Sequence, residues 1–115
     1  MTGKDLRFVL LFDIYGELLS DTQKEMFDLY YNDDLSLSEV AENTGITRQG
    51  VRDSIKRSEE ILLSYEKKLG LAARMETIHT KSVEAEKLLL RLKEKYPQAS
   101  EDLDGISALL DSIKL

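Results

Sequence analysis

The chain has 115 residues, 42% of them hydrophobic and 33% charged, and a formal net charge of −6. One proline and six glycines argue against a disordered or loop-rich chain, so the length fits one small domain, alone or with an extended helical arm. The absence of cysteine excludes disulfides and thiolate metal sites and suits a reducing cytoplasm. The early apolar run from Phe8 to Phe12 is closed by Asp13 and is too short for a signal-peptide core or a membrane span.

Taken in chain order, the hydrophobic pattern is helical almost throughout, which predicts an all-α protein. A first helix is expected from about Asp5 to Leu18, with apolar residues around most of its circumference, as in a central core helix. Ser20-Asp-Thr-Gln23 reads as a capping box opening a second helix to about Tyr31, with Met26, Phe27, Tyr30 and Tyr31 as core candidates. Asn32, Asp33 and Asp34 end it. Ser36-Leu-Ser-Glu39 is a second capping box, and Gly45 can take the left-handed conformation that stops the helix it opens. From Thr47 the pattern runs unbroken to Leu69, and Gly70 punctuates it. Residues 71–96 predict another long helix, about 39 Å at 1.5 Å per residue. Pro97 stops it, and Ser100 is expected to cap a closing helix carrying Leu103, Ile106, Leu110 and Ile113.

Within this series, residues 35–55 have the spacing of a helix-turn-helix. Leu37, Val40, Ala41, Ile46, Val51 and Ile55 form the expected buried set, and Ala41 leaves room for two helices to cross. Thr47 caps the second helix and brings its free N–H groups near a phosphate. Arg48, Gln49, Arg52 and Lys56 then face outward. Arginine can pair two acceptors on guanine and glutamine can pair adenine, so this set suits base reading, while Arg57, Lys67 and Lys68 suit phosphates. Against that stands Asp53 among the readers, and Gly50 is expected to loosen the helix start. An ordinary helical hairpin with solvated basic residues is the alternative.

Charge is uneven along the chain. Residues 1–46 carry three basic and ten acidic side chains, residues 47–70 carry six and four, and residues 71–115 carry seven and eight. The one positive segment is the expected recognition helix with its continuation, so binding to a polyanion should be modest and strongly salt-sensitive. In the last half, Leu71, Met75, Ile78, Ser82, Ala85, Leu89, Leu92 and Tyr96 alternate by four and three, as in a coiled-coil seam. That pattern predicts a homodimer, with an antiparallel hairpin inside one chain, folded about Gly70, as the alternative.

Enzymatic features do not accumulate. Asp33, Asp34 and Glu39 are better explained as caps and solvated loop residues than as a metal or acid–base site. His79 lacks an obvious nucleophile partner, and no Gly-rich phosphate loop or zinc spacing occurs. No catalytic residue, cofactor or metal is expected.

Residues 19–57, from Leu-Ser-Asp-Thr-Gln-Lys-Glu-Met-Phe through Ile-Lys-Arg, resemble the promoter-reading helix-turn-helix domain of bacterial sigma factors. Residues 11–69, with Leu-Tyr-Tyr-Asn-Asp-Asp-Leu-Ser-Leu-Ser-Glu-Val-Ala and Thr-Arg-Gln-Gly-Val-Arg-Asp-Ser-Ile-Lys-Arg, are more closely similar to the YlxM family of small helix-turn-helix proteins. By position, the sigma resemblance implies Arg48, Gln49, Arg52 and Asp53 as readers. The YlxM resemblance implies a part in the signal recognition particle pathway, or in its regulation. The expectation is therefore a cytoplasmic helix-turn-helix domain over residues 1–69 and a helical arm over residues 70–115. DNA is the expected partner, through Thr47, Arg48, Gln49, Arg52, Lys56 and Arg57, with no membrane partner. RNA or protein of the signal recognition particle is the alternative.

Overall fold

Capping chemistry sets several of the helix boundaries. In the computed structural model, which describes residues 4–113, α1 (Arg7–Tyr15) tightens into a 3-10 turn at Gly16–Leu18. Before α2 (Asp21–Phe27), the Ser20 hydroxyl accepts from the Gln23 N–H at 3.2 Å, and Gln23 Oε1 accepts from the Ser20 N–H at 3.1 Å. α2 runs on into a wider π turn, Asp28–Asn32, closed by the Asp33 N–H donating to the Asp28 carbonyl at 3.1 Å. Asp34 follows with φ 54°, a left-handed conformation that aspartate tolerates better than most residues. α3 (Leu37–Thr44), α4 (Arg48–Leu69) and α5 (Leu71–Lys95) come next, separated by left-handed Gly45 and Gly70. A 3-10 turn at Pro97–Ala99 leads into α6 (Ser100–Ser112). The described residues thus form an all-α protein, as the sequence pattern predicts.

Two local expectations change. The first helix is shorter than the span from Asp5 to Leu18, because it gives way to the 3-10 turn at Gly16. Ser100 is not a cap: it is the first residue of α6, behind Ala99, which makes no side-chain capping bond.

The chain divides into two compact units, Met1–Ala72 and Ala73–Leu115. In the first unit the hub is α4, which packs against α1, α2 and α3. It turns Val51, Ile55, Ser58 and Leu62 inward at helical spacing. The first helix is a core helix, as expected, with Phe8, Leu11 and Tyr15 buried and Val9, Phe12 and Ile14 packed beside them, but it is not the hub, and Leu6 and Leu10 stay exposed. Aromatic rings fill the space between the helices, with Phe27 stacked on Phe12 at 4.9 Å and on Tyr31 at 4.6 Å between centroids. Fully burying an aliphatic or aromatic side chain contributes about 1.5–3 kcal/mol, so this cluster supplies much of the unit's stability.

Polar groups tie its edges. Lys4, 8% exposed, donates to the carbonyls of Tyr30 at 2.5 Å and Leu35 at 2.9 Å and to Asp34 Oδ1 at 3.0 Å, over the face of the Tyr30 ring. Its ammonium thereby satisfies carbonyls where α2 and its π turn end. Tyr31 donates to Glu59, and Tyr15 donates to Glu66 Oε1 at 2.7 Å. The same Tyr15 oxygen accepts from the Leu71 N–H at 3.1 Å, and Glu66 Oε1 accepts from the Ala72 N–H at 2.9 Å. Leu71 and Ala72 are consequently held in the first unit. Ser58 is fully buried in the α4 stripe, and its hydroxyl finds no hydrogen-bond partner among the described residues.

In the second unit α6 runs antiparallel to α5. The Ser107 hydroxyl donates to the Glu86 carboxylate at 2.8 Å, and Lys93 Nζ donates to Asp104 Oδ1 at 2.7 Å. Ser82 and Leu103 are buried there, and Ala85 and Leu89 are half-buried. The middle of the expected seam therefore lies on the side of α5 that carries the bonds to α6. Leu71, Leu92 and Tyr96, at the ends of that pattern, remain exposed.

Candidate nucleic-acid interface

The interface is assembled from α3, the turn after it and the first two turns of α4. At the start of α3 the Ser36 hydroxyl accepts from the Glu39 N–H at 3.1 Å, and Glu39 Oε1 accepts from the Ser36 N–H at 3.0 Å. The Ser36 N–H above all, with the Ser36 side chain adding to it, holds the Glu39 carboxyl below its usual range. Val40 is completely buried beneath α3, with Leu37 and Ala41 packed at the edge of the core.

Gly45 then turns the chain with φ 74°, its N–H donating to the Ala41 carbonyl at 3.0 Å. Ile46 packs into the core from the turn, and Thr47 caps α4 by accepting the Gly50 N–H on its hydroxyl at 3.1 Å. Val51 and Ile55 fix the inner side of α4. All six residues of the expected buried set thus belong to the core or pack against it.

The outer side follows from that registration. Thr47, Arg48, Gln49, Arg52, Lys56 and Arg57 are all exposed. Arg48, Arg52 and Lys56, each four residues from the next, form one row along the helix, with Gln49 and Asp53 beside it. Arg57 lies further round, where it lines a shallow groove with Ser64, Tyr65 and Lys68. The arrangement places cationic and amide groups next to the amino-terminal end of a helix whose free N–H groups favour an anion.

Two features escaped sequence reasoning. Gln49 Nε2 donates to Asp53 Oδ1 at 3.0 Å, so one amide donor of the expected adenine reader is already engaged. The four-residue spacing is the signal that could have revealed it. Gly50 is also more than a weak helix former. A Cβ there would stand 3.0 Å from Ile46 Cγ2 and 3.1 Å from Thr47 Oγ1, so its bare Cα lets the turn plug and the cap close together.

Among the described residues no group of three or more His, Asp or Glu side chains is placed to hold a metal ion. No described helix is long and apolar enough to cross a membrane.

A short helix braced on a longer one through a glycine-ended turn, with the second helix threonine-capped and cationic on its outer side, defines a helix-turn-helix protein. Comparison with known proteins gives the family. Residues 2–104 match the UPF0122 family, described as "Putative helix-turn-helix protein, YlxM / p13 like", and the chain belongs to it. Similar relatives cover 90–99% of the chain. The UPF0122 protein BH2485 of Halalkalibacterium halodurans is 40% identical over 116 residues, covering 99% of this chain and 100% of the relative. The UPF0122 protein Teth514_1714 of Thermoanaerobacter sp. is 38% identical over 112 residues, 96% of each chain. A UPF0122 protein of Desulforamulus reducens is 46% identical over 106 residues, 90% of this chain and 87% of its own.

Proposed function

We propose that this protein is a cytoplasmic DNA-binding regulator that inserts the amino-terminal half of α4 into the major groove. The observation that carries the reading is the exposed row Arg48, Arg52 and Lys56 on a helix whose inner side is fixed by Val51 and Ile55. Arg48 and Arg52 reach base edges with Gln49 beside them, and Thr47, Lys56 and Arg57 contact phosphates. As a homodimer, the protein would meet half-sites about 34 Å apart, one helical turn, or a multiple of it. Gel shifts on random duplex pools at low salt test this. The parent should retain duplex, and Arg48→Ala/Arg52→Ala should lose most of that retention. Equal retention by both proteins refutes the reading.

A second reading, an accessory factor that contacts RNA or protein of the signal recognition particle, draws on different residues. Asp13, Glu17, Asp21, Glu25 and Asp28 are all exposed on the amino-terminal helices, and Asp53 occupies the Gln49 amide. Such a surface favours the protein arm of this reading, a basic protein partner, over the RNA arm. Pull-down with and without ribonuclease separates the cases: a partner kept after treatment is bound through protein, and a partner lost is bound through RNA. Recovery of no particle component removes this reading.

A further inference from the structure

The second unit leaves much of its apolar surface uncovered. Leu103 is 9% exposed, whereas Leu88, Leu92, Ile106, Leu109 and Ile113 are 43–68% exposed. Hydrogen bonds from Ser107 to Glu86 and from Lys93 to Asp104 fix which sides of α5 and α6 meet. At 3.6 residues per turn, Leu88 and Leu92 then fall on the same flank of the antiparallel pair as Ile106, Leu109 and Ile113. The result is an apolar face drawn from both helices, with Val83 and Leu90 on the opposite flank.

We propose that this face docks a second copy of the chain, about a two-fold axis parallel to the helices, so that α5 of each copy lies antiparallel against α6 of the other in a four-helix bundle. Charge selects both the occupant and the axis. Residues 73–95 carry six basic and four acidic side chains, whereas α6 carries four acidic and no basic ones. Setting α5 against α6 of another copy brings opposite charges together twice. A two-fold axis across the helices would instead stack α5 on α5 and α6 on α6, like on like.

The size of the unit points the same way. A two-helix unit is too small to cover its own apolar residues, and a second copy supplies the missing layer without exposing a new edge. A stable interface buries about 800 Å² per partner. Five half-exposed aliphatic side chains, with the stems of the charged residues around them, form the apolar centre of such a patch. The face differs from the expected coiled-coil seam, whose middle already lies toward α6.

The inference deepens the homodimer in the function proposed above, but its test contains no nucleic acid. Sedimentation of the full chain across a range of protein concentrations should give twice the 13.1 kDa chain mass. Leu88→Asp/Leu109→Asp should sediment as a monomer with its helical circular dichroism intact. Ile113→Asp, near the end of α6 where little structure can be lost, should weaken the dimer at least tenfold. Val83→Asp/Leu90→Asp should leave it unchanged. A parent that stays monomeric at every concentration overturns the proposal, as does a dimer that survives the first two variants and is lost with the third. A dimer that binds no duplex leaves this face in place and removes only the regulator reading.

Discussion

Replacing Tyr15 by phenylalanine removes one oxygen atom from the joint where α4 gives way to α5. That oxygen donates to Glu66 Oε1 at 2.7 Å and accepts from the Leu71 N–H at 3.1 Å. The ring is 1% exposed and stacks on Tyr65 at 6.0 Å between centroids, contacts that phenylalanine keeps. Loss of a hydrogen bond to a charged group costs about 1.5–3 kcal/mol and loss of a neutral one about 0.5–1.5 kcal/mol. Glu66 retains the Ala72 N–H at 2.9 Å, and the new ring avoids desolvating a hydroxyl, both of which reduce the cost. The expected net loss is about 2 kcal/mol, roughly a thirtyfold fall in the folded-to-unfolded ratio. Urea unfolding followed by far-ultraviolet circular dichroism measures it, with an unchanged slope showing that the loss is one of stability. Hydrogen exchange at Leu71 and Ala72 should accelerate in step. A midpoint within error of the parent would refute the idea that this hydroxyl holds the joint.

Ser58→Ala should stabilise the protein by about 1 kcal/mol, because it removes a buried hydroxyl that has no partner among the described residues; a lower thermal midpoint contradicts this. Asp53→Asn removes a charge from the edge of the cationic row, worth about 1 kcal/mol near a phosphate in water. It should tighten duplex binding roughly fivefold at low salt, an advantage that shrinks as salt rises. Fluorescence anisotropy reads this, and weaker binding by the variant counts against the groove-facing orientation. The phenols of Tyr15, Tyr30 and Tyr31 are all raised above their ordinary value, chiefly by burial and further by neighbouring carboxylates. The folded state therefore holds its phenolic protons longer than the unfolded chain does. Stability should hold up to about pH 10, where free tyrosine titrates, and fall above it. Denaturation midpoints that rise in that range contradict the assignment.

Much of the fold was legible because the cues are local. A serine cap with Glu39 or Gln23 three residues on, or a glycine free to turn left-handed, needs no tertiary information, and α2, α3 and α4 start on the caps expected. The inner residues of the helix-turn-helix were readable for a similar reason, since helical periodicity fixes them relative to one another. What was missed depends on distance along the chain. The all-round hydrophobicity of residues 6–15 suggested a core helix, but the partners that choose its inner side come from α2 and α4. Lys4 is drawn to carbonyls 26 and 31 residues away, which no neighbouring residue announces. Tyr15 and Glu66 meet across 51 residues in the same way. The exposed row of Arg48, Arg52 and Lys56 followed from periodicity alone. The Gln49–Asp53 bond has helical spacing too, and its two polar side chains four residues apart are the local signal for it.

That α4 reads DNA is the proposal on which the other binding predictions rest. Its most direct test is to sequence the nucleic acid that copurifies with the tagged protein from its own host, beside Arg48→Ala/Arg52→Ala. If α4 reads DNA, the parent should yield DNA enriched in a short shared motif, and the variant should lose that enrichment. Recovery of RNA alone, or the same unenriched DNA from both proteins, would contradict it.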